Sequence, residues 1–463
     1  MSCFEHDESR RAFLKRSGAL GLAGAATPFV TSLAAIGEAA AATASDYKAM
    51  VCVFLYGGND YANTLTPYDQ ASYAQYQAAR ANIAHARDAL GATVLTPTTA
   101  VAGGRQYALA PTMASLLPIF DAGKLAPVLN VGTLVQPTTK AQYTANAVRL
   151  PPKLFSHNDQ QSYFQASNPE GATSGWGGRI GDLFQSGNGS ATLTCINASG
   201  NAVYLTGRNA IQYSVGTGGP IPLINNATSL FSSANAMATL RSLMTNAAGD
   251  SVFSAEHARV SKRALDTYAQ VSGALANAPA ANFTGFPTGN SLADQLKMVA
   301  RLISVSTELG AKRQVFFVSL GGFDLHDLLV ANHPTLMGRV ADAMKAFYDA
   351  TVTLGVAERV TTFTASDFGR TLQSNDDGSD HGWGSHHFVM GGAVKGRTIY
   401  GTPPAVGNGT ADDVGQGRLL PTLSVDQYAA TLASWFGVSS GAMTTVLPNM
   451  GNYNPSTWNI GFV

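Results

Sequence analysis

The chain has 463 residues, of which 29 are Lys or Arg and 29 are Asp or Glu, so its formal net charge is zero. Only 13% of the residues are charged. A nucleic-acid groove or an anionic-membrane patch needs clustered positive charge, and we therefore expect neither as a partner. The length is ample for one large core, or for a main domain with an inserted lobe.

The first 44 residues have the layout of an export signal. Arg10 and Arg11 precede a Gly/Ala-rich apolar stretch, 18–35, and a run of small residues, 39–44. This order of charged, apolar and A-x-A segments is typical of a twin-arginine (Tat) signal peptide. We predict cleavage after Ala44, with two earlier alanines of the same run as alternatives. The Tat translocase would then deliver the protein to the periplasm or the exterior, without stable membrane insertion.

Three continuous apolar runs predict buried β-strands, over 50–56, 314–320 and 359–364. Each run is followed by a short loop that contains an aspartate. These aspartates are Asp60, Asp324 and Asp367. Strands buried on both faces are typical of parallel sheets. Ligands of open α/β sheets bind at the carboxyl ends of the strands, so we expect the three carboxylates to converge, either as a ligand site or as a structural polar network.

Helical patterns separate these strands. Apolar residues recur at helical spacing over 292–303 and 336–352, and a further helix is predicted to begin after Ser424 and to end near Gly437. Alternation of strands and helices indicates parallel βαβ units. Residues from about 185 to 290 differ, since a charge-poor first part precedes a helical second part. We predict an inserted lobe there, within one domain that spans 45–463.

Histidines accompany the strand-end aspartates. The candidates are His157, His326, His381, His386 and His387. Together with Asp380, which precedes His381, they add imidazole nitrogens to the carboxylate oxygens. Hard or borderline divalent metals bind such ligands, usually through three protein groups at an open catalytic site. The sequence therefore predicts a divalent-metal site, with Zn, Mn, Ca or Mg as the ion.

Four motifs give the chain a family resemblance. They are GGND at 57–60, GGFDLH at 321–326, SDFGRT at 366–371 and DHG at 380–382. In this order they resemble a widespread bacterial family of Tat-exported proteins of unassigned function, grouped with the alkaline phosphatase/sulfatase superfamily. The resemblance covers nearly the whole chain after the signal. It implies an alkaline-phosphatase-like three-layer α/β sandwich, with a central, mostly parallel sheet and an inserted lobe.

The resemblance also implies residue roles, carried over by order along the chain. The implied metal ligands are Asp60, Asp324, His326, Asp367 and one of His381, His386 and His387. Ser156 would be the nucleophile, with Thr64 as its competitor. His157, beside Ser156, belongs to the same predicted catalytic set, and Arg370 would bind an oxyanion through two hydrogen bonds.

The motifs depart from the superfamily pattern at two places. Asp324 and His326 are separated only by Leu325, whereas the usual pair is about one helical turn apart. Phe368 stands where a ligand His or Asn is expected, and a phenyl ring binds no metal. The resemblance therefore implies that a second metal site is rearranged or absent. The chain also lacks a Cys-x-Pro-x-Arg motif, which argues against a formylglycine sulfatase.

The sequence thus favours an exported, metal-dependent hydrolase of phosphate or sulfate esters, or of a related small anionic substrate. Metal would polarise the substrate oxygen and activate the nucleophile. The alternative is a phosphatase-like protein that has lost its chemistry and serves in binding or assembly, with an exported glycan or protein as its partner.

Overall fold

The computed structural model describes residues 46–224, 229–246 and 251–463. The predicted signal peptide, residues 1–44, lies outside the described residues. The described residues form one compact unit. Within the described ranges, no helix has the length and the hydropathy that a membrane span requires.

The described residues contain 13 strands. They are β1 (Lys48–Leu55), β2 (Leu65–Pro67), β3 (Tyr107–Leu109), β4 (Leu125–Gly132), β5 (Cys195–Asn197), β6 (Gln212–Gly216), β7 (Gly219–Pro220), β8 (Arg313–Leu320), β9 (Val360–Ser366), β10 (Arg370–Ser374), β11 (Ser379–His381), β12 (Ser385–Gly391) and β13 (Leu423–Ser424).

Helices connect most of these strands. The α-helices are α1 (Tyr61–Thr64), α2 (Gln70–Ala79), α3 (Arg87–Leu90), α4 (Leu117–Asp121), α5 (Lys140–Thr144), α6 (His157–Ala166), α7 (Trp176–Phe184), α8 (Ala234–Thr245), α9 (Val252–Ala276), α10 (Ser291–Ser304), α11 (Leu329–Thr353), α12 (Val425–Phe436) and α13 (Met443–Val446). Short 3-10 turns lie between several of them.

Nine strands form the central sheet, in the spatial order β13-β4-β12-β9-β1-β8-β5-β6-β7. β12 runs antiparallel to both of its neighbours, and β7 runs antiparallel to β6. All other pairs in this sheet are parallel. The predicted α/β fold with a mostly parallel sheet is therefore confirmed.

Helices cover both faces of the sheet. On one face, alternate residues of β1 such as Val51 and Val53 pack in one core cluster with Leu296 of α10 and Val340 of α11. On the other face, Phe363 of β9 lies against the ring of Trp176 in α7 and that of Tyr428 in α12, with centroids 5.5 and 5.9 Å away. The fold is a three-layer sandwich, and burial on both faces explains why these strands appear as continuous apolar runs.

Most predicted elements match the structure. β1, β8 and β9 confirm the three apolar strands, and α10 and α11 confirm the helices between them. Ser424 caps α12 through a capping box, and Gly437, at φ 120°, follows its last residue. In the predicted lobe, β5 and β6 continue the central sheet, while α8 packs against α9.

Candidate functional site

The loops that follow β1, β8 and β9 leave the sheet at the same edge. β1 pairs in parallel with β8 and β9, and Leu55 lies opposite both Leu320 and Ser366. The strands therefore end level with one another. The loop after β1 contacts the loop after β8 closely at Gly57, whose φ is +116° and whose position leaves no room for a Cβ beside the backbone nitrogen of Asp324. Only glycine accepts both constraints without strain.

Asp324 lies at the centre of the site, with 46% of its side chain exposed. Its Oδ1 accepts a hydrogen bond from Nη1 of Arg370 at 2.8 Å. Burial raises the pKa of Asp324, but the hydrogen bond and charge of Arg370 outweigh it and hold that pKa below the ordinary value. Asp324 is therefore a carboxylate at neutral pH, with an open side toward solvent.

Three histidines surround this carboxylate. Nε2 of His157 lies 3.3 Å from Oδ2 of Asp324. Nε2 of His326 and Nε2 of His381 lie 3.1 and 3.3 Å from Oδ1, and 2.9 Å from each other. We call these four residues, His157, Asp324, His326 and His381, the strand-end cluster.

The opposite nitrogen of each imidazole contacts an acceptor. Nδ1 of His157 lies 2.7 Å from Oδ2 of Asp367, and Nδ1 of His326 lies 3.1 Å from Oδ1 of Asp380. Nδ1 of His381 lies 2.7 Å from the carbonyl oxygen of Phe155. In the neutral form of each ring, donation from Nδ1 leaves the lone pair on Nε2. All three Nε2 lone pairs then converge on Asp324.

This arrangement fits a divalent metal by its donor chemistry. Ligand atoms of His157, Asp324 and His381 all lie within 4.8 Å of one another. Imidazole nitrogens whose other ring nitrogen is bound to a carboxylate or a carbonyl are typical of metal ligands. Lone pairs that face each other across 2.9 Å repel, and either a proton or a cation between them relieves the repulsion.

Two buried atoms of the site have no hydrogen-bond partner within the described residues, Nε2 of His157 and Oδ1 of Asp367. Unsatisfied buried polar atoms are rare in folded proteins and are often explained by an ion or a water molecule. Burial also raises the pKa of Asp367, and the hydrogen bond from His157 offsets this only in part. The same hydrogen bond raises the pKa of His157.

Phe368 forms an apolar wall of the site. Its ring centroid lies 4.9 Å from that of His157 and 4.8 Å from that of His381. Burial lowers the pKa of His381, although its hydrogen bond to Phe155 raises it. The phenyl ring thus contributes to the burial that favours the neutral form of His381.

Asp60 does not join the strand-end cluster. Its Oδ2 forms an ion pair with Nη2 of Arg80 at 2.5 Å and accepts a hydrogen bond from Ser379, while its Oδ1 accepts one from the backbone of Asn63. Both partners of the ion pair are buried. The interactions with Arg80 and His333 outweigh burial and lower the pKa of Asp60 to about 2. A ligand role for Asp60 would require a break in this ion pair.

His386 also lies apart from the cluster. Its Nδ1 accepts a hydrogen bond from the backbone of Asn130 at 3.1 Å, and its ring packs on Tyr61 at a centroid distance of 4.9 Å. Burial lowers its pKa to about 4. His387 is buried on β12 as well, and burial lowers its pKa to about 3.

The predicted catalytic residues occupy different settings. His157 is in the cluster and is the first residue of α6. Ser156, the residue before it, donates a hydrogen bond from Oγ to Oδ2 of Asp159 at 3.0 Å. Arg370 is fully buried, and its guanidinium donates to the carbonyls of Gly57 and Ser379 as well as to Asp324. Thr64 is buried, with its hydroxyl bound to the carbonyl of Asp60.

The structure adds residues that the sequence did not indicate. Phe155 supplies a carbonyl to His381 from a backbone with φ +71°, a conformation that bulky L-residues rarely adopt. Arg418 donates from Nε to the carbonyl of His381 at 2.7 Å. No sequence pattern marks either residue, because one acts through its main chain and the other lies 37 residues beyond its partner.

The fold and the site together define an α/β protein with a histidine–carboxylate cluster at the carboxyl edge of its central sheet. The chain belongs to the family described as "Protein of unknown function (DUF1501)", which it matches over residues 47–423. No curated protein matches the chain.

Solved structures share only weak similarity with the chain. A crystal structure of Ps i-CgsB in complex with k-i-k-neocarrahexaose has 8% identity and a TM-score of 0.34, and the match covers 89% of this chain and 78% of that one. The lipoteichoic acid synthase LtaP from Listeria monocytogenes has 8% identity and a TM-score of 0.32, over 85% and 73%. A glycosaminoglycan-metabolism protein of Bacteroides thetaiotaomicron, BT33494S-sulf, has 10% identity and a TM-score of 0.33, over 85% and 73%. These values establish no shared chemistry.

Proposed function

We propose that this protein is a metal-dependent hydrolase of phosphate or sulfate esters, exported through the Tat pathway. The observation that carries the proposal is the convergence of three imidazole Nε2 atoms on the carboxylate of Asp324. Each imidazole is held through Nδ1, and the carboxylate retains an exposed side where a substrate can enter.

The strand-end cluster would hold one divalent ion through His157, His326, His381 and Asp324. Nitrogen-rich ligand sets of this kind favour Zn or another borderline ion over Ca and Mg, which prefer oxygen ligands. When bound, such an ion polarises an ester oxygen and lowers the pKa of a coordinated water. Asp60 would remain outside, since Arg80 already neutralises its charge.

The surrounding residues would position these ligands. Asp367, Asp380 and the carbonyl of Phe155 orient the three imidazoles, and Arg370 orients the carboxylate of Asp324. Because these contacts hold the ligands before any ion binds, they reduce the ordering cost of binding. Phe368 excludes water from one side of the imidazoles.

Ser156 is the proposed nucleophile. It precedes His157 in the chain, and its hydroxyl donates to the buried carboxylate of Asp159. A hydroxyl is a weak nucleophile unless a neighbouring base accepts its proton, and Asp159 would be that base. Replacement of Ser156 by Ala would leave metal binding intact and abolish ester hydrolysis, whereas retained hydrolysis would assign attack to water.

The test is elemental analysis of the protein purified without chelators, together with Asp324→Asn and the exposed control Asp342→Asn. We expect about one equivalent of a divalent ion in the wild type and the control, and a loss of at least tenfold in affinity in Asp324→Asn. The same three proteins are then assayed with 4-nitrophenyl phosphate and 4-nitrophenyl sulfate.

The outcomes separate the alternatives. Metal together with turnover of either ester supports the hydrolase. Metal without turnover of any ester overturns the hydrolase and leaves a structural ion. No metal in the purified protein, and no Zn²⁺ uptake on titration, would mean that protons satisfy the cluster, and would favour the alternative of an exported binding or assembly protein.

A further inference from the structure

We propose that Arg418 forms an oxyanion subsite beside the strand-end cluster and binds the charged group of the substrate. The inference deepens the proposed hydrolase function and rests on it for the identity of the substrate. The sequence indicated Arg370 for this task, but Arg370 is fully buried and its guanidinium points inward, toward Gly57, Ser379 and Asp324.

Arg418 is anchored directly to a cluster residue. Its Nε donates to the carbonyl oxygen of His381 at 2.7 Å, and its Cζ lies 5.0 Å from the ring centroid of Phe155. Phe155 in turn accepts from Nδ1 of the same histidine through its carbonyl oxygen. The guanidinium is thus stacked on the ring of Phe155. Both Arg418 and Phe155 form a hydrogen bond with His381.

The guanidinium retains free donors. Nη1 makes a long hydrogen bond of 3.3 Å to the carbonyl of Gly415, and Nη2 makes none within the part of the chain that the structure describes. The side chain is half-buried. A planar guanidinium with unused N–H groups matches the geometry of a phosphate or sulfate oxygen pair.

The negative charge of the site favours an anion-binding role for Arg418. The site brings together the carboxylates of Asp324, Asp367 and Asp380, whose charge repels an incoming anion. Arg370 is already committed to Asp324, and Arg80 to Asp60. Within the described ranges, two cationic side chains bond to cluster residues, Arg370 and Arg418. Of these two, Arg418 is the one with N–H donors left for a ligand.

The backbone of Phe155 supports the same assignment. Its φ of +71° costs about 1 kcal/mol or more for a residue with a side chain. That conformation directs the carbonyl oxygen to His381 while the ring lies under Arg418. Strained backbone persists where the surrounding contacts stabilise it, and it concentrates at functional sites.

The experiment measures binding of inorganic phosphate and inorganic sulfate by calorimetry. It uses the chelator-treated protein and the Zn²⁺-reconstituted protein, as wild type, Arg418→Met, Arg418→Lys and the exposed control Arg241→Met. We expect Arg418→Met to weaken binding at least tenfold in both forms. Arg418→Lys keeps the positive charge but lacks the planar set of guanidinium N–H donors, and it should weaken anion binding about threefold. Arg241→Met should leave anion binding unchanged.

Wild-type anion affinity in folded Arg418→Met overturns the subsite, as does the absence of any phosphate or sulfate affinity in the wild type. If Arg418→Met fails to fold, the Arg418→Lys variant provides the test. Equal anion affinity in Arg418→Lys and in the wild type would show that the planar guanidinium has no role in binding. The hydrolase proposal can fail separately. Anion binding that depends on Arg418, without turnover of either ester, would support the subsite and contradict the hydrolase function.

Discussion

His157 and Asp367 are joined by a close side-chain contact, with Nδ1 of the imidazole 2.7 Å from Oδ2 of the carboxylate. The sequence predicted Asp367 as a metal ligand. In the structure, however, its carboxylate contacts Nδ1 of His157, the ring nitrogen that faces away from Asp324. The other oxygen of Asp367 is buried without a partner within the described residues. The geometry therefore favours Asp367 as a residue that orients His157.

The role of Asp367 can be tested by its replacement. We expect Asp367→Asn to lower Zn²⁺ affinity by 10- to 100-fold, the usual effect of losing a carboxylate that orients a ligand histidine, while one equivalent still binds at saturation. Competition against a chromogenic chelator measures both quantities. The exposed substitution Asp342→Asn is the control. A complete loss of binding in Asp367→Asn would instead make Asp367 a direct ligand.

A second prediction concerns the ion pair of Asp60 and Arg80. Both side chains are buried, so removal of one partner leaves an unpaired buried charge. We expect Arg80→Met to lower the free energy of unfolding by about 3–5 kcal/mol, with a smaller loss in the double variant Asp60→Asn/Arg80→Met. Urea denaturation of the chelator-treated proteins measures this difference.

The metal content of Asp60→Asn gives an independent result. If Asp60 only stabilises the fold, this variant keeps the wild-type stoichiometry and affinity for Zn²⁺ in its folded form. Loss of an equivalent of metal, with the fold intact by circular dichroism, would return Asp60 to the ligand set that the sequence predicted.

The sequence located the sheet edge well because burial leaves a direct signal. β1, β8 and β9 are buried on both faces, and their apolar runs end at the loops that carry the site. Which side chains meet at that edge depends on rotamers and loop paths that no spacing encodes. Asp60 and Asp324 follow strands in the same way, yet one binds Arg80 and the other lies among the histidines.

A third prediction follows from Asp426, which lies in α12 away from the strand-end cluster. Burial raises its pKa to about 6, although hydrogen bonds from Ser167 and Asn449 and the charge of Arg179 lower it. Because the pKa in the folded state exceeds the ordinary value of 3.8, the protonated form stabilises the fold. That stability is complete below pH 3.8 and is lost as the pH rises through 6.

The change between pH 4.5 and 7.5 is about 2 kcal/mol for one group with these pKa values. Asp426→Asn cannot ionise, so its unfolding free energy relative to the wild type should increase by about that amount over the same interval. Urea denaturation at the two pH values gives the double difference. An offset between the two proteins that is independent of pH would show that Asp426 has an ordinary pKa in the fold.

The last prediction concerns Gly57, where the loops after β1 and β8 meet. Its φ is +116°, and a Cβ there would collide with the backbone nitrogen of Asp324. Gly57→Ala must therefore displace the loop that carries Asp324, and we expect it to weaken Zn²⁺ binding by at least tenfold. Gly104 is a matched control, since its φ is +69° and nothing lies within 4 Å of a Cβ at that position.

Gly104→Ala should cost about 1 kcal/mol of stability from its left-handed backbone and should leave metal binding unchanged. Zn²⁺ titration and urea denaturation of both variants separate backbone strain from displacement of the site. Equal metal affinity in Gly57→Ala and Gly104→Ala would mean that the position of Asp324 does not control the affinity. In that case the three histidines alone would hold the ion.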